Sequence, residues 1–335
     1  MIFNSLTFIT SLTLIRRTIL ALTSTSWVCV WIIIELNLIS FIPILISSNQ
    51  NIETEARIKY FLVQALGSAI LLLARYSIYF TSNLSRFLNL ILILALLLKL
   101  GRFPAFFWFP SVIASINWTR RLILSTWQKI APITLISIIL TYNSQQTFAL
   151  IAGINSLIGG IIGINQTNLR KLLAYSSINH IGWIISILYI NIPIFCIIYF
   201  SLYVILVLPI FYILICRSTI KQSSNILNKS KELQLTIIIL LLSLAGLPPL
   251  TGFLPKLCVI ILLMDFNTPL LIVLILGSLI TLYFYLILAI SILNINSINY
   301  TQSTPKTHYL IPILNIVSLI YIPIIIFIYA LTIFH

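Results

Sequence analysis

Five titratable side chains lie inside long apolar stretches of the sequence: Glu35, Lys99, Lys129, His180 and Lys256. At membrane depth the carboxylate and the three ammonium groups would each cost about 2.5–3.5 kcal/mol, on the order of 10 kcal/mol together. That sum rivals the stability of a whole domain, about 5–15 kcal/mol, so these groups need a partner, a wet cavity or a neutral state. A lysine poised between neutral and charged forms can accept and release a proton. A row of such groups across a helix bundle predicts a path for protons.

Each of these residues also has a structural interpretation. Lys129 would be ordinary if its span ended nearby and its side chain reached the interface. Lys99 and Lys256 would be structural if they held backbone carbonyls freed where a helix breaks. Glu35 suits a buried ion pair, and His180 suits a neutral imidazole bonded to a helix carbonyl as well as a proton relay. Three lysines face one carboxylate, so at most one of them can pair with it.

Two apolar segments are too long for a single straight crossing. Segment 235–264 would extend about 45 Å as a helix, against a hydrocarbon layer of about 30 Å. It contains two glycines and three prolines near its middle, and a proline removes an amide donor and clashes with the preceding turn. Segment 86–117 is interrupted in the same way at KLGRFPAFFWFP, where Arg102 is expected to reach the interface. We predict two broken helices whose links are buried in protein or line a wet cavity.

Composition predicts an all-α polytopic membrane protein. The chain has 335 residues, of which 60% are hydrophobic and 7% charged, and its mean hydropathy is +1.14. A soluble domain with this balance would have a mostly apolar surface. The apolar runs are continuous and lack the alternation of strands, which favours helices.

The net charge of +14 does not indicate a nucleic-acid partner, because the basic residues are scattered over short loops rather than clustered. The four cysteines are isolated, without a CxxC pair, and no GxGxxG turn occurs. We therefore expect no cofactor and no redox chemistry in this chain. The N-terminus lacks the basic region of a cleavable signal.

Apolar runs and their punctuation predict about eleven transmembrane helices. The predicted spans are 2–20, 26–46, 60–80, 86–117, 121–141, 147–164, 171–190, 193–216, 235–264, 269–293 and 309–333. The segment 47–59 is predicted to be a polar loop. Alternate loops, starting with the second, collect eleven Lys and Arg residues, whereas the opposite side holds four, among them Arg16 and Arg17. The positive-inside rule then places the N-terminus on the matrix or cytoplasmic side and the C-terminus on the other. Arg16 and Arg17 fit poorly and are expected to snorkel to the far interface.

The two broken helices are the fourth and the ninth, so they cross the membrane in opposite directions. Paired interrupted helices in corresponding halves are typical of inverted repeats whose working site lies at the breaks. We predict two inverted five-helix repeats, 1–141 and 147–293, followed by an extra C-terminal helix at 309–335. Glu35 in the second span then corresponds to His180 in the seventh.

Several motifs resemble one known family in order and spacing. They are GINQTNLRKLLAYSSINHIGW at 163–183, LSLAGLPPLTGFLPK at 242–256, TWQKIAP at 126–132 and EARIKYFLVQALGS at 55–68. They resemble the subunit 2 family of the mitochondrial respiratory NADH:ubiquinone oxidoreductase, complex I, over nearly the whole chain. One departure is clear: where the family has G-x-x-P-F-H-F-W, this chain has GRFPAFFW, and Phe106 occupies the position of the histidine.

The resemblance implies an antiporter-like, proton-translocating subunit in the membrane arm of complex I. By motif, Glu35 and Lys99 correspond to the charged pair, Lys129 to the central-axis lysine, Lys256 to the lysine of the second broken helix, and His180 to the family histidine. The expected location is the mitochondrial inner membrane, with the N-terminus in the matrix and the C-terminus in the intermembrane space. Expected partners are the other membrane-arm subunits, lipids, protons and buried water.

Two alternative functions stay open at this point. A stand-alone cation/proton antiporter shares the inverted repeats, although the short loops and the lack of extra N-terminal spans favour the complex subunit. A structural spacer subunit would use the buried charges only to fix helix register.

Overall fold

The structure, a computed structural model, describes residues 5–46, 51–80, 85–139, 145–220 and 231–296. Within these ranges every regular element is a helix, in agreement with the predicted all-α class. Thirteen helices follow one another along the described residues: α1 (Ser5–Thr23), α2 (Trp27–Ile46), α3 (Asn51–Phe80), α4 (Ser85–Leu100), α5 (Trp108–Ser115), α6 (Trp118–Ser125), α7 (Trp127–Ile138), α8 (Gln145–Ile164), α9 (Leu169–Ile190), α10 (Pro193–Ile220), α11 (Lys231–Ala245), α12 (Phe253–Met264) and α13 (Thr268–Asn296).

Six of these helices are long and apolar enough to cross a membrane: α2, α3, α8, α9, α10 and α13. Shorter apolar helices occur in α4, α11 and α12. The predicted eleventh span at 309–333, within the predicted C-terminal segment 309–335, lies outside the described residues. The fold is thus that of a helical membrane protein with several spans, and the total of eleven stays a prediction.

The segment predicted to be a polar loop at 47–59 is helical from residue 51 onward, so that prediction was wrong for its second half. A buried stripe with intervals of three or four residues runs through this part of α3: Glu53, Ala56, Tyr60, Gln64 and Ser68. Such spacing keeps side chains on one face of a helix. Packing of this face therefore extends α3 through a polar sequence.

Helical structure stops inside both segments predicted to be broken. Residues 101–107 separate α4 from α5, and residues 246–252 separate α11 from α12. Gly101 and Gly246 follow the two first halves with positive φ angles of 65° and 84°, which L side chains rarely adopt. A Cβ atom on Gly101 would also lie 2.6 Å from the Cβ of Phe109. Glycine is therefore required at the first break by backbone angle and by space.

The predicted fifth span, 121–141, contains an interruption that the sequence analysis missed. Helices α6 and α7 meet at Thr126, whose backbone N–H and hydroxyl both donate to the carbonyl of Leu122, at 3.0 and 2.6 Å. The hydroxyl competes with the backbone for a helix carbonyl, which is how threonine disturbs helices. Lys129 consequently lies in the first turn of α7, directly after this interruption.

The described chain divides into two compact units. The first comprises Met1–Ile151 and Thr167–Ala174, and the second Ala152–Gln166 and Tyr175–His335, in each case the described residues within those bounds. Fully buried apolar side chains form the core of the first unit, including Phe41, Leu92, Leu96, Leu97 and Val112. The inverted five-helix repeats 1–141 and 147–293 stay a prediction.

Small residues bring the helices of the second unit close together. A Cβ atom on Gly159, within the GGIIG motif of α8, would lie 2.7 Å from the backbone nitrogen of Asn179 in α9. On Gly277 of α13 it would lie 2.7 Å from the carbonyl oxygen of Ser156 in α8. These approaches exclude any larger side chain, as is typical of close helix packing in membranes. Gly159 and Gly277 therefore have a packing role.

Candidate functional site

Lys99 lies in the last turn of α4, just before the first break, and is buried, with 6% of its surface exposed. Its side chain crosses α3 at Gly67, where an added Cβ would approach the Lys99 Cγ to 3.0 Å. Gln64 of α3 donates a hydrogen bond of 2.9 Å to the Lys99 carbonyl, one of those left without a helical partner at the end of α4. Thus the backbone of the break is satisfied by Gln64, and the Lys99 ammonium is not used for that purpose.

Glu35 of α2 is half-buried and accepts a hydrogen bond from the hydroxyl of Ser68 in α3. Trp31 ties α2 to the same place through a 3.1 Å bond from its indole nitrogen to the Ser68 carbonyl. The Glu35 charge attracts Lys99. Although both residues belong to the described chain, no ion pair within 4.0 Å joins them. Glu35 and Lys99 thus interact through space, while the neutral hydroxyl of Ser68 holds the Glu35 carboxylate.

Lys129 and Arg102 approach one aromatic ring in the first unit. The Lys129 Nζ and the Arg102 Cζ each lie 4.9 Å from the centroid of Phe109, a distance typical of cation–π contacts. The two cations are close enough to repel each other. Arg102 is fully buried, so the expectation that it would reach the interface was wrong. The turn between α4 and α5 folds it inward against Phe109, which packs edge-to-face with Trp108.

One cavity brings Lys99 and Lys129 together. It contains about 20 Å³ open to the centres of water molecules, and one water needs roughly 10–15 Å³ on that measure. Its lining residues are Tyr60, Gln64, Lys99, Leu100, Trp108, Phe109, Leu124, Gln128 and Lys129. Two buried ammonium-bearing side chains thus face a space of the size of a water molecule, as a proton-transfer step requires.

Lys256 has a different environment, in the second unit. It is 97% buried in α12, and its Nζ donates a hydrogen bond of 2.6 Å to the carbonyl of Ala245, the last residue of α11. A Cβ atom on Gly246 would lie 2.9 Å from the same Nζ. The ammonium thus folds back over the break and satisfies a carbonyl that the helix end leaves open. This contact is the structural use of Lys256 that the sequence left open.

Replacing Lys256 by methionine tests whether that is its only use. The change removes a buried charge, which saves about 2.5–3.5 kcal/mol. It also leaves the Ala245 carbonyl unsatisfied, which costs about 1–3 kcal/mol, so the two effects roughly cancel. We therefore expect Lys256→Met to assemble normally and to lower proton-coupled activity. Subunit content in membranes and proton uptake by vesicles measure the two effects. Normal proton uptake in the assembled variant would leave Lys256 with the structural role alone.

His180 is buried in α9 of the second unit, and its Nδ1 lies 3.2 Å from the hydroxyl of Tyr199 in α10. The imidazole accepts or donates in this bond depending on its tautomer. Tyr203 packs one turn further along α10, with its ring centroid 5.1 Å from that of the imidazole. The histidine therefore has a protic partner in the Tyr199 hydroxyl, with which it could exchange a proton.

Sequence reasoning missed a buried ion pair between Glu53 and Arg120. Their charged atoms are 2.5 Å apart, and both side chains are almost fully buried. Arg120 also donates to the carbonyl of Leu45 near the end of α2. The signal lay in the buried stripe of α3, which already includes position 53. Arg120, which had been counted among the basic loop residues for the topology, is therefore internal to the first unit.

The neutral residues around the lysines were also missed. Asn37 of α2 donates a hydrogen bond of 3.1 Å to Gln128 of α7, while Gln64 and Ser68 hold Lys99 and Glu35 as described. Each is a buried or half-buried polar side chain in an apolar segment. An uncharged polar residue facing the interior of a membrane helix was a usable signal. In the described residues no group of three or more His, Cys, Asp or Glu side chains is placed to hold a metal ion.

Comparison with known proteins places the chain in a family. Residues 24–281 match the family model described as NADH:quinone oxidoreductase/Mrp antiporter, TM. The proteins called NADH-ubiquinone oxidoreductase chain 2 include that of Lumbricus terrestris, 44% identical over 308 residues, covering 90% of this chain and 92% of the relative. That of Anopheles gambiae is 43% identical over 296 residues, covering 84% of each chain.

Solved structures share the fold. A chain of respiratory complex I from Thermus thermophilus with bound aureothin matches with a TM-score of 0.74 at 21% identity, covering 86% of this chain and 71% of that one. A chain of the Mrp complex from Dietzia sp. DQ12-45-1b matches with a TM-score of 0.75 at 19% identity, covering 83% and 58%. The family predicted from the sequence is confirmed. The chain belongs to the NADH:quinone oxidoreductase/Mrp antiporter family of transmembrane proteins, alongside relatives named NADH-ubiquinone oxidoreductase chain 2.

Proposed function

We propose that this chain is a proton-translocating membrane subunit of respiratory complex I, whose NADH oxidation and ubiquinone reduction take place on other subunits. The observation that carries this proposal is the shared cavity of Lys99 and Lys129, with the Glu35 charge within reach of Lys99. Membership of a family of proton-coupled membrane proteins supports it. The chain's own part is to hold and move protons.

The proposed roles differ among the five titratable residues. Glu35 stabilises the charged form of Lys99. When the attraction between the two residues weakens, Lys99 releases a proton toward Lys129. His180 and Lys256 act in the second unit, where His180 exchanges protons with the Tyr199 hydroxyl. To take part in proton transfer, Lys256 breaks the hydrogen bond between its ammonium and the Ala245 carbonyl. No cofactor is assigned to this chain.

The proposed setting is the mitochondrial inner membrane, among the other membrane-arm subunits of complex I, with lipids around the chain and water inside it. About eleven spans in two inverted five-helix repeats, 1–141 and 147–293, would complete the fold. Two further functions remain to be tested. A stand-alone cation/proton antiporter is supported by the family model, whose description includes an antiporter. A structural spacer is favoured by the bond between Lys256 and Ala245.

Gentle purification from membranes separates these functions. A complex I subunit should co-migrate with the flavin and iron–sulfur subunits and with NADH:ubiquinone activity. An isolated chain that exchanges cations for protons would instead establish the antiporter. Normal proton uptake by assembled complex after loss of each buried lysine in turn would leave only the spacer.

The proposed topology predicts opposite exposure of two positions. Asn225→Cys, in the basic segment that follows α10, should react with an impermeant thiol reagent only from the matrix side, because basic loops stay on that side. His335→Cys should react only from the opposite side. Membrane vesicles of both orientations give the measurement, and the unsubstituted chain gives the background of its own four cysteines. Labelling of both positions from one side would contradict an odd number of spans between residues 225 and 335, and with it the proposed topology.

A further inference from the structure

Gln128 lies next to Lys129 in α7 and lines two cavities in the first unit. The second cavity also holds about 20 Å³ open to the centres of water molecules, room for about one water. Its lining residues are Ile34, Asn37, Leu38, Tyr60, Gln64, Lys99, Gln128, Ala131 and Pro132. Tyr60, Gln64, Lys99 and Gln128 line both cavities. The two spaces therefore adjoin around the side chains of Lys99 and Gln128.

Two buried amide atoms at these cavities have no hydrogen-bond partner among the described residues. Asn37 donates from Nδ2 to the Oε1 of Gln128 at 3.1 Å, which leaves the Asn37 Oδ1 and the Gln128 Nε2 unsatisfied. A buried amide atom without a hydrogen-bond partner destabilises the folded chain. Turning both amides over keeps their mutual bond and still leaves one donor and one acceptor open. In either orientation the pair offers both kinds of contact that a water molecule needs.

We propose that the Asn37–Gln128 amide pair is a positioning element, which holds water between Lys99 and Lys129 in the orientation that proton transfer requires. This inference rests on the proposed function. Asn37 and Gln128 act through the two lysines and do not themselves carry the proton. An amide keeps its protons, so the water carries the transfer. One N–H bond breaks at the Lys99 Nζ, the water accepts that proton and releases another, and one N–H bond forms at a neutral Lys129 Nζ. The reverse order balances equally, and one positive charge has moved between the lysines.

The alternative is that the amide pair only fixes the register of α2 against α7. Three variants distinguish these roles: Gln128→Leu removes the amide at similar volume, Gln128→Asn keeps an amide on a shorter chain, and Asn37→Leu removes the partner. Thr134→Val is the matched control on α7, because the Thr134 hydroxyl bonds only the carbonyls of its own helix at Ile130 and Ala131. All are studied in the assembled complex in vesicles, by NADH-driven proton uptake in H2O and in D2O.

We expect Gln128→Leu and Asn37→Leu to lower proton uptake about tenfold, the rate equivalent of one lost hydrogen-bond contact. The solvent isotope effect should rise, because proton transfer between the lysines becomes the slow step. Gln128→Asn should restore part of the rate, and Thr134→Val should match the unsubstituted chain. If Gln128→Leu does not assemble, Gln128→Met, which is flexible and similar in size, takes its place.

An unchanged rate and isotope effect in well-assembled Gln128 and Asn37 variants would overturn the inference. Lys129→Met, measured in the same vesicles, separates that result from failure of the proposed function. Loss of uptake in Lys129→Met with normal uptake in the amide variants would refute only the role of the amide pair. Normal uptake in Lys129→Met would refute the proton path itself.

Discussion

Lys129→Met is expected to abolish proton translocation, with a loss of about a hundredfold or more, while the chain still assembles. A positioned proton-transfer group is worth about 10²–10⁴ in rate. Methionine matches lysine in length, removes the cost of a buried charge, and relieves the repulsion between Lys129 and Arg102. The cavity that Lys129 shares with Lys99 would then have one proton carrier. Proton uptake by vesicles per NADH oxidised measures the effect.

Lys59→Met is the matched control for that result. Lys59 lies on the same first unit, but its side chain is 49% exposed and paired with Glu55 one turn away. Such an exposed pair contributes little to stability because it is screened by solvent, and we expect no change in proton uptake. Equal uptake by Lys129→Met and Lys59→Met, at equal subunit content, would show that Lys129 is structural.

The second large effect is expected when Glu35 and Lys99 are both changed. The losses of proton-coupled activity in the single and double variants should be strongly non-additive. Glu35→Gln can still accept the hydrogen bond from Ser68, yet it removes the charge that attracts Lys99. Lys99→Met removes the proton carrier at the same cavity. If the two residues act as one unit, the double variant should be little worse than the poorer single one. We expect a coupling energy of about 1–2 kcal/mol, within the range for interacting pairs.

A double-mutant cycle on proton-coupled activity provides this measurement. The exposed pair Glu55–Lys59 supplies the control cycle, in which the effects of Glu55→Gln and Lys59→Met on proton-coupled activity should be additive. Additive losses from well-assembled variants of Glu35 and Lys99 would mean that the two residues work separately. Glu35 would then need a different cation, since no direct ion pair joins it to Lys99.

Two lysines that lie beside helix breaks, one in each unit, are used differently. The carbonyl of Lys99 accepts from Gln64, which leaves the ammonium beside a cavity. The ammonium of Lys256 bonds the Ala245 carbonyl instead. A lysine beside a helix break is thus either a cap for the break or a group open to water, according to which neighbour satisfies the backbone. We infer that Lys256 must break a hydrogen bond before it can move a proton, a cost that Lys99 does not have.

Sequence alone predicted the helical membrane class, the family and the places where two helices break. These features depend on local chemistry: the length of apolar runs, the missing amide of proline and the backbone freedom of glycine. Gly101 and Gly246 show this directly, since both lie at a break and have a positive φ there. Membership of the family could be predicted because the motifs are themselves stretches of sequence.

What the tertiary structure decided is which side chains meet. The bonds between Asn37 and Gln128 and between Glu53 and Arg120 join residues 91 and 67 positions apart. Burial of Arg102 against Phe109 and the helical start of α3 also follow from packing between helices. Periodicity shows which face of a helix is buried, but several helices offer compatible faces, so it does not choose the partner. Three-dimensional packing made that choice, and so brought Lys99 and Lys129 to one cavity.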